Sequence, residues 1–257
     1  MTRVFAATSL LLALLATLPQ AAGAMMAERC AAPMGLLDLG QPLPRVAARL
    51  ARNETVSVVA IGSSSTGGAG ASAPEFSYPS QLATLWPQLV GGQVEVHNRG
   101  INGQDILQMN ERLQADAVEI RPDLVLWQLG TNDVLRSQGV EVYRAHIQRG
   151  IALLQAAGID VVLIDLQYAP KVLQDRDHIA MQKILADLAV EQRVALFRRF
   201  AIMRYWLRGG LQMGDMVTPD GLHMNDLGYA CWAHSLARAI QLSTVLPGQK
   251  SAVSGKN

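Results

Sequence analysis

The sequence predicts a single-domain, doubly wound α/β protein, a three-layer α/β/α sandwich around one parallel sheet of about five strands. Three observations carry this expectation. From residue 55 onward, short Val-, Ile- and Leu-rich runs recur, apolar at nearly every position, as strands covered on both faces must be. Longer stretches of helical period stand between them, the alternation expected of βαβ units. The first three runs also end in clusters of Gly, Ser, Asn or Asp, residues that turn a chain from strand into helix.

Taken in order, the strand candidates are residues 55–61, 93–98, 123–129, 160–166 and a shorter run at 194–197. Ile106, Met109 and Leu113 recur every three or four residues and mark the apolar face of a helix after the second strand. Val140, Tyr143, Ile147, Ile151 and Leu154 mark the next. Tyr229, Trp232, Leu236 and Ile240 lay one face of a closing helix on the sheet. No internal repeat interrupts the series, and the polar tail 247–257 is expected to be disordered and to carry no site.

Ahead of this domain, Arg3, an apolar run from Val4 to Leu18, and Ala22-Gly23-Ala24 form the three regions of a cleavable export signal at 1–24. An uncleaved anchor is the alternative, since the uncharged stretch is long enough to span a bilayer. Glu28 and Arg29, rather than small apolar residues, precede Cys30, which argues against a lipoprotein. Cleavage leaves roughly 233 residues, enough for one α/β domain at 55–246 after a lead-in segment at 25–54. The whole chain carries 22 basic and 21 acidic side chains, and loss of Arg3 brings the balance to zero. That leaves no electrostatic case for nucleic acid as a partner. The expected location is secreted or periplasmic, with no stable membrane insertion after cleavage. In such an oxidising compartment Cys30 and Cys231 can pair; equally, Cys231 can be a buried thiol and Cys30 incidental, and spacing does not choose.

Ligands of open α/β sheets bind beyond the carboxyl ends of the strands, so the loops there are where chemistry is expected. Gly62-Ser63-Ser64-Ser65-Thr66-Gly67-Gly68 follows the first strand. A serine at such a turn presents its hydroxyl at the sheet edge among free backbone N–H groups; the competing reading is a turn that only caps the next helix. The absence of Gly-Lys-Ser/Thr and of the dinucleotide glycine spacing argues against a phosphate loop. Asn98 to Asp105 follows the second strand, and Gly103 can offer its N–H to a developing negative charge or simply supply a turn of positive φ. Gly130-Thr131-Asn132-Asp133 follows the third, where Asn132 can donate its amide into the same pocket or cap a helix. Asp220-Gly221-Leu222-His223 precedes the closing helix, and a carboxylate three residues before an imidazole can turn back to accept its Nδ1–H. His97, His146, His178 and His234 lack such a partner and fall within a predicted strand or helices.

Together these four loops resemble, in order, the blocks of the SGNH/GDSL hydrolase superfamily, over residues 56–223. The resemblance implies a flavodoxin-like sheet and, by matching position, Ser64 as nucleophile, His223 as base, Asp220 as its carboxylate, and the N–H of Ser64, the N–H of Gly103 and the Asn132 amide as oxyanion donors. Two departures stand out: Ser63 replaces the aspartate usual before the nucleophile, and Met224 replaces the proline that often follows the histidine. The activity implied is hydrolysis of a carboxylic ester, short-chain or O-acetyl, on a small molecule or a glycan, through an acyl-enzyme and with no cofactor or metal. An acyltransferase of envelope saccharides and a catalytically silent carbohydrate-binding protein are the alternatives. An α/β-hydrolase is excluded by the missing Gly-x-Ser-x-Gly elbow, and a zinc hydrolase by the missing His-Glu-x-x-His. Met213, Met216 and Met224 can line an acyl pocket or fill the core, and residues 209–219 are expected to form a loop over the site. Substrate, acyl length and oligomeric state are not encoded in any of these motifs.

Overall fold

A computed structural model describes residues 29–136 and 139–244. The predicted export signal at 1–24 and the tail at 247–257 lie outside the described residues. Two short helices come first, α1 (Met34–Leu37) and α2 (Pro44–Ala51). The alternating series then runs β1 (Val56–Gly62), α3 (Ser64–Gly67), α4 (Tyr78–Leu89), β2 (Val94–Gly100) and α5 (Ile106–Leu113). It continues with β3 (Leu124–Gln128), α6 (Thr131–Leu135), α7 (Tyr143–Ala156), β4 (Asp160–Ile164), α8 (Pro170–Gln174) and α9 (Asp177–Glu191). It closes with β5 (Ala195–Phe197), α10 (Arg199–Arg208), α11 (Met213–Met216) and α12 (Asp226–Thr244).

All four strand pairings are parallel, and the sheet order is β2-β1-β3-β4-β5. The switch in direction falls between β1 and β3, so the loops after those strands part to opposite faces and leave a crevice at their carboxyl ends. β3 is wholly buried and β1 nearly so, which is why both read as continuous apolar runs, whereas the edge strand β2 alternates between half-buried and exposed positions. β3 and β4 are shorter than their apolar runs, because Leu129 and Leu166 remain buried while the chain leaves the ladder toward the crevice. β2 extends two residues past its apolar run, and its last residue, Gly100, pairs with Gly62.

The helical stripes pack as their spacing predicts: Ile106, Met109, Leu113, Ile147, Ile151, Leu154, Trp232, Leu236 and Ile240 are all inaccessible or nearly so. Residues 29–54 join the same core through Leu37, Leu39, Leu43 and Val46. At the amino edge of the sheet, Asp123 accepts hydrogen bonds from Arg45 and Arg49 at 2.9 and 3.0 Å, while Asp160 accepts the N–H groups of Arg45 and Val46. This seals α2 against the strand ends far from the crevice. Cys30 and Cys231 form a disulfide across a separation of 201 residues, tying the start of the described chain to the second turn of α12. Among the described residues no helix is long and apolar enough to cross a membrane.

Candidate active site

β1 ends at Gly62 because nothing larger fits there: a Cβ at that position would lie 2.2 Å from Thr66 Oγ1 and 2.7 Å from Gln128 Oε1. The chain then turns directly into α3, whose first residue is Ser64. Of the three consecutive serines, Ser63 and Ser65 are buried and Ser64 is half-exposed. Ser63 does not cap α3 with its side chain; its hydroxyl and N–H both donate to Gln128 Oε1, at 3.1 and 2.9 Å. Gly100 on the neighbouring strand is the second tight spot. A Cβ there would lie 2.1 Å from the Gly67 nitrogen, so α3 can sit against β2 only over a bare backbone.

His223 meets Ser64 from the other end of the chain. Its Nε2 lies 2.9 Å from Ser64 Oγ, and its Nδ1 lies 2.5 Å from Asp220 Oδ2. The turn that brings them there is held by the other carboxylate oxygen: Asp220 Oδ1 accepts the Thr218 hydroxyl at 2.7 Å and the N–H groups of Leu222 and His223 at 2.8 and 3.0 Å. Gly221, at φ +71°, makes the reversal without strain. Partial burial pushes the Asp220 carboxyl upward, but donation from Thr218, His223 and the two backbone amides outweighs it and holds the group well below the usual carboxylate range.

Gly103 adopts φ +78° in the segment between β2 and α5, consistent both with a turn and with an N–H presented outward. Asn132 lies inside α6, whose N-cap is Gly130 at φ +92°, so Asn132 is not the helix cap. Its Nδ2 donates to Gln104 O at 2.8 Å, and an amide NH₂ retains a second hydrogen. That bond brings Asn132 to the residue next to Gly103. Arg136 extends the connection by donating to Gly103 O at 2.7 Å and pairing with Asp105.

The remaining histidines lie on β2 (His97), α7 (His146), α9 (His178) and α12 (His234), as their surroundings in the sequence predict. His178 stacks on Phe200, and burial pushes His234 down from the usual imidazole range. Met216 and Met224 are inaccessible core residues, and the partly buried Met213 packs against the same core, which favours packing over the lining of an acyl pocket. Within residues 209–219 the chain forms the short helix α11 at Met213–Met216. Beside His223 lies an open depression of about 340 Å³ lined by Gly70, Ser72, Asn225, Asp226 and Leu227.

Two supporting residues have no role in the motif reading. Gln128 was legible only as a polar residue inside an apolar strand run. Gln167, also fully buried, accepts from Thr131 at 2.9 Å and from the buried guanidinium of Arg199 at 2.8 Å, while its amide donates to Leu222 O at 3.4 Å. It thereby joins the loop after β3 to the loop that carries His223.

The sequence profile of a non-GDSL lipase-like family matches residues 29–244. The chain is similar to an acetylxylan esterase of Xylanibacter ruminicola, 27% identical over 237 residues, which cover 80% of this chain and 47% of that protein. It is also similar to an arylesterase of Vibrio mimicus, 28% identical over 153 residues, which cover 57% of this chain and 73% of that protein. The chain thus spans about half the length of the acetylxylan esterase. Among solved structures, a lipase/acylhydrolase from Enterococcus faecalis has the same fold, with a TM-score of 0.64 at 20% identity over 72% of this chain and 95% of that one.

Proposed function

Since the chain belongs to the non-GDSL lipase-like family, we propose that it is an exported serine hydrolase of carboxylic esters, acting on O-acetyl or other short acyl groups. The observation that carries this reading is the unbroken line of hydrogen bonds from Ser64 Oγ through both ring nitrogens of His223 to Asp220. Ser64 Oγ attacks the ester carbonyl carbon as His223 Nε2 takes its proton, and Asp220 holds the imidazole in the required tautomer and stabilises its cation. The oxyanion of the tetrahedral intermediate accepts from the N–H of Ser64, the N–H of Gly103 and the free amide hydrogen of Asn132, each contributing about 3 kcal/mol. Collapse expels the alcohol, which receives the proton from His223. Water then attacks the acyl-serine with His223 again as base, releasing the acid and restoring Ser64.

An acetylated glycan is the substrate class favoured by the similarity to an acetylxylan esterase. Export is favoured by the Arg3, apolar and Ala22-Gly23-Ala24 series and by the Cys30–Cys231 disulfide, a bond that persists in oxidising compartments.

The test is hydrolysis of 4-nitrophenyl esters from acetate to palmitate, alongside acetate release from acetylated xylan. Wild-type protein is expected to favour the short acyl groups and to be labelled at Ser64 by a fluorophosphonate. Ser64→Ala is expected to lose at least about a thousandfold in turnover with its circular dichroism unchanged. Undiminished rates in that variant would remove the nucleophile, and with it the reading.

A further inference from the structure

We propose that Arg136 is a positioning residue that holds the two separately encoded oxyanion donors, the Gly103 N–H and the Asn132 amide, as one unit; this rests on the serine-hydrolase reading above. The donors lie on different segments, Gly103 in the loop after β2 and Asn132 in the helix α6 that follows β3, and differ in kind, one a backbone amide and the other a side chain. An oxyanion hole works only when its donors stand at fixed positions before charge develops, so something must set the distance between these segments.

The contacts that set it come from one short helix and its C-cap. Asn132 donates to Gln104 O at 2.8 Å, and Asp133 Oδ1 accepts the N–H of Ile106 at 3.1 Å. Arg136, the C-cap of α6, supplies the remaining two: one guanidinium nitrogen donates to Gly103 O at 2.7 Å and another pairs with Asp105 Oδ2. Asp105 is itself the N-cap of α5, its Oδ1 accepting the Gln108 N–H at 2.9 Å. The guanidinium therefore grips the oxyanion loop at its glycine and at the point where that loop becomes helix. On the other side, the N–H of Ile101 is fixed to Gly62 O at 3.0 Å, so the stretch between 101 and 105 is pinned at both ends.

Gly103 has the most to gain from this grip. With φ at +78° and no heavy atom near the place a Cβ would occupy, no side-chain packing restrains it, and its carbonyl is held by Arg136. The two acceptors, a carbonyl and a carboxylate on residues 103 and 105, suit the planar fork of arginine. A lysine ammonium is a point charge that does not hold both in one plane. Arg136 touches neither Ser64 nor His223, and its effect reaches the reacting atoms only through Gly103 and Asn132.

The experiment measures Arg136→Ala and Arg136→Lys on 4-nitrophenyl acetate. Arg136→Ala is expected to lower kcat about tenfold or more, since deleting one oxyanion donor outright costs about 10²- to 10³-fold, while KM changes by less than about twofold. The Arg136 side chain is 39% exposed, so free guanidinium at sub-denaturing concentration is expected to restore part of the lost kcat. An unchanged kcat, or a fall in kcat that tracks a lower thermal midpoint and resists guanidinium, would overturn the proposal. Should Arg136→Ala fail to fold, Arg136→Lys decides: reduced kcat at near-normal KM supports the grip, and wild-type kcat refutes it. Wild-type protein that neither turns over esters nor takes up fluorophosphonate sinks the serine-hydrolase reading first, and this proposal with it.

Discussion

The side-chain carbonyl of Gln128, at the end of β3, accepts both the backbone N–H and the hydroxyl of Ser63, at 2.9 and 3.1 Å. The hydroxyl of Thr66 joins them at 3.3 Å, so one buried amide oxygen gathers three donors from the turn around Ser64. Ser63 stands where the wider superfamily has aspartate. Here the residue before Ser64 is a neutral donor, tied to the neighbouring strand by its hydroxyl and its N–H.

Removing that acceptor gives the first prediction. Gln128→Leu keeps roughly the volume but takes away the acceptor of the Ser63 N–H and hydroxyl in a buried position, which is expected to cost about 2 kcal/mol. Urea unfolding measures the loss. A variant within about 0.5 kcal/mol of wild type would show that the Ser63 turn holds its shape without Gln128.

Asp220→Asn separates the two jobs of the carboxylate. The Asn Oδ1 can still accept from Thr218, Leu222 and His223 N, which preserves the turn, whereas its NH₂ faces Nδ1 and forces the wrong imidazole tautomer. The expected result is a fall in kcat of about 10³- to 10⁴-fold with the thermal midpoint little changed. Near-normal turnover would show that His223 does not need its carboxylate.

The disulfide closes a loop of 201 residues, and Cys30 is also held through its carbonyl by Trp206 and Ser235 at 3.2 Å. A Cys30→Ser/Cys231→Ser variant is expected to lose about 3 to 5 kcal/mol, and its thermal midpoint to fall by about 10 °C. Treating wild type with a reductant should reproduce the shift. A double variant as stable as wild type would mean that the packing of residues 29–54 holds this segment to the domain unaided.

Burial pushes Asp160 up to about 6, against the pull of the Val46 and Arg45 N–H groups and the Arg45 guanidinium. In the unfolded chain its pKa is about 3.9, so the folded state holds this proton the more tightly. Its contribution to stability is complete below about pH 4 and is lost as pH rises through 6. Asp160→Asn, neutral throughout and still able to accept both N–H groups, is expected to remove this slope. Between pH 4 and 7 wild type should lose on the order of 2 kcal/mol relative to the variant. Denaturant titrations at several pH values provide the measurement, and a wild type that gains on the variant over that range would reverse the assignment.

The five strands, the helical faces after β2 and β3 and at the end of the domain, and the four motif-bearing loops were readable along the chain, whereas the helices Tyr78–Leu89 and Asp177–Glu191 were not picked out. Strand identity there depends on uninterrupted apolar runs such as residues 123–129, and helix identity on spacings such as Ile147, Ile151 and Leu154; both are local patterns that burial on two faces or one imposes directly. The proximity of Asp220 to His223 was readable for the same reason, since three residues and a glycine separate them. What only the tertiary structure decided is whatever joins residues distant in sequence. The 2.9 Å approach of His223 to Ser64 spans 159 positions. The Cys30–Cys231 bond, which spacing left open, spans 201. Gln128 under Ser63 and Arg136 against Gly103 are polar side chains whose partners come from neighbouring strands and loops, and no periodicity announces them. Local patterns record which face of an element is covered; which side chain covers it depends on the order in which the sheet places its strands.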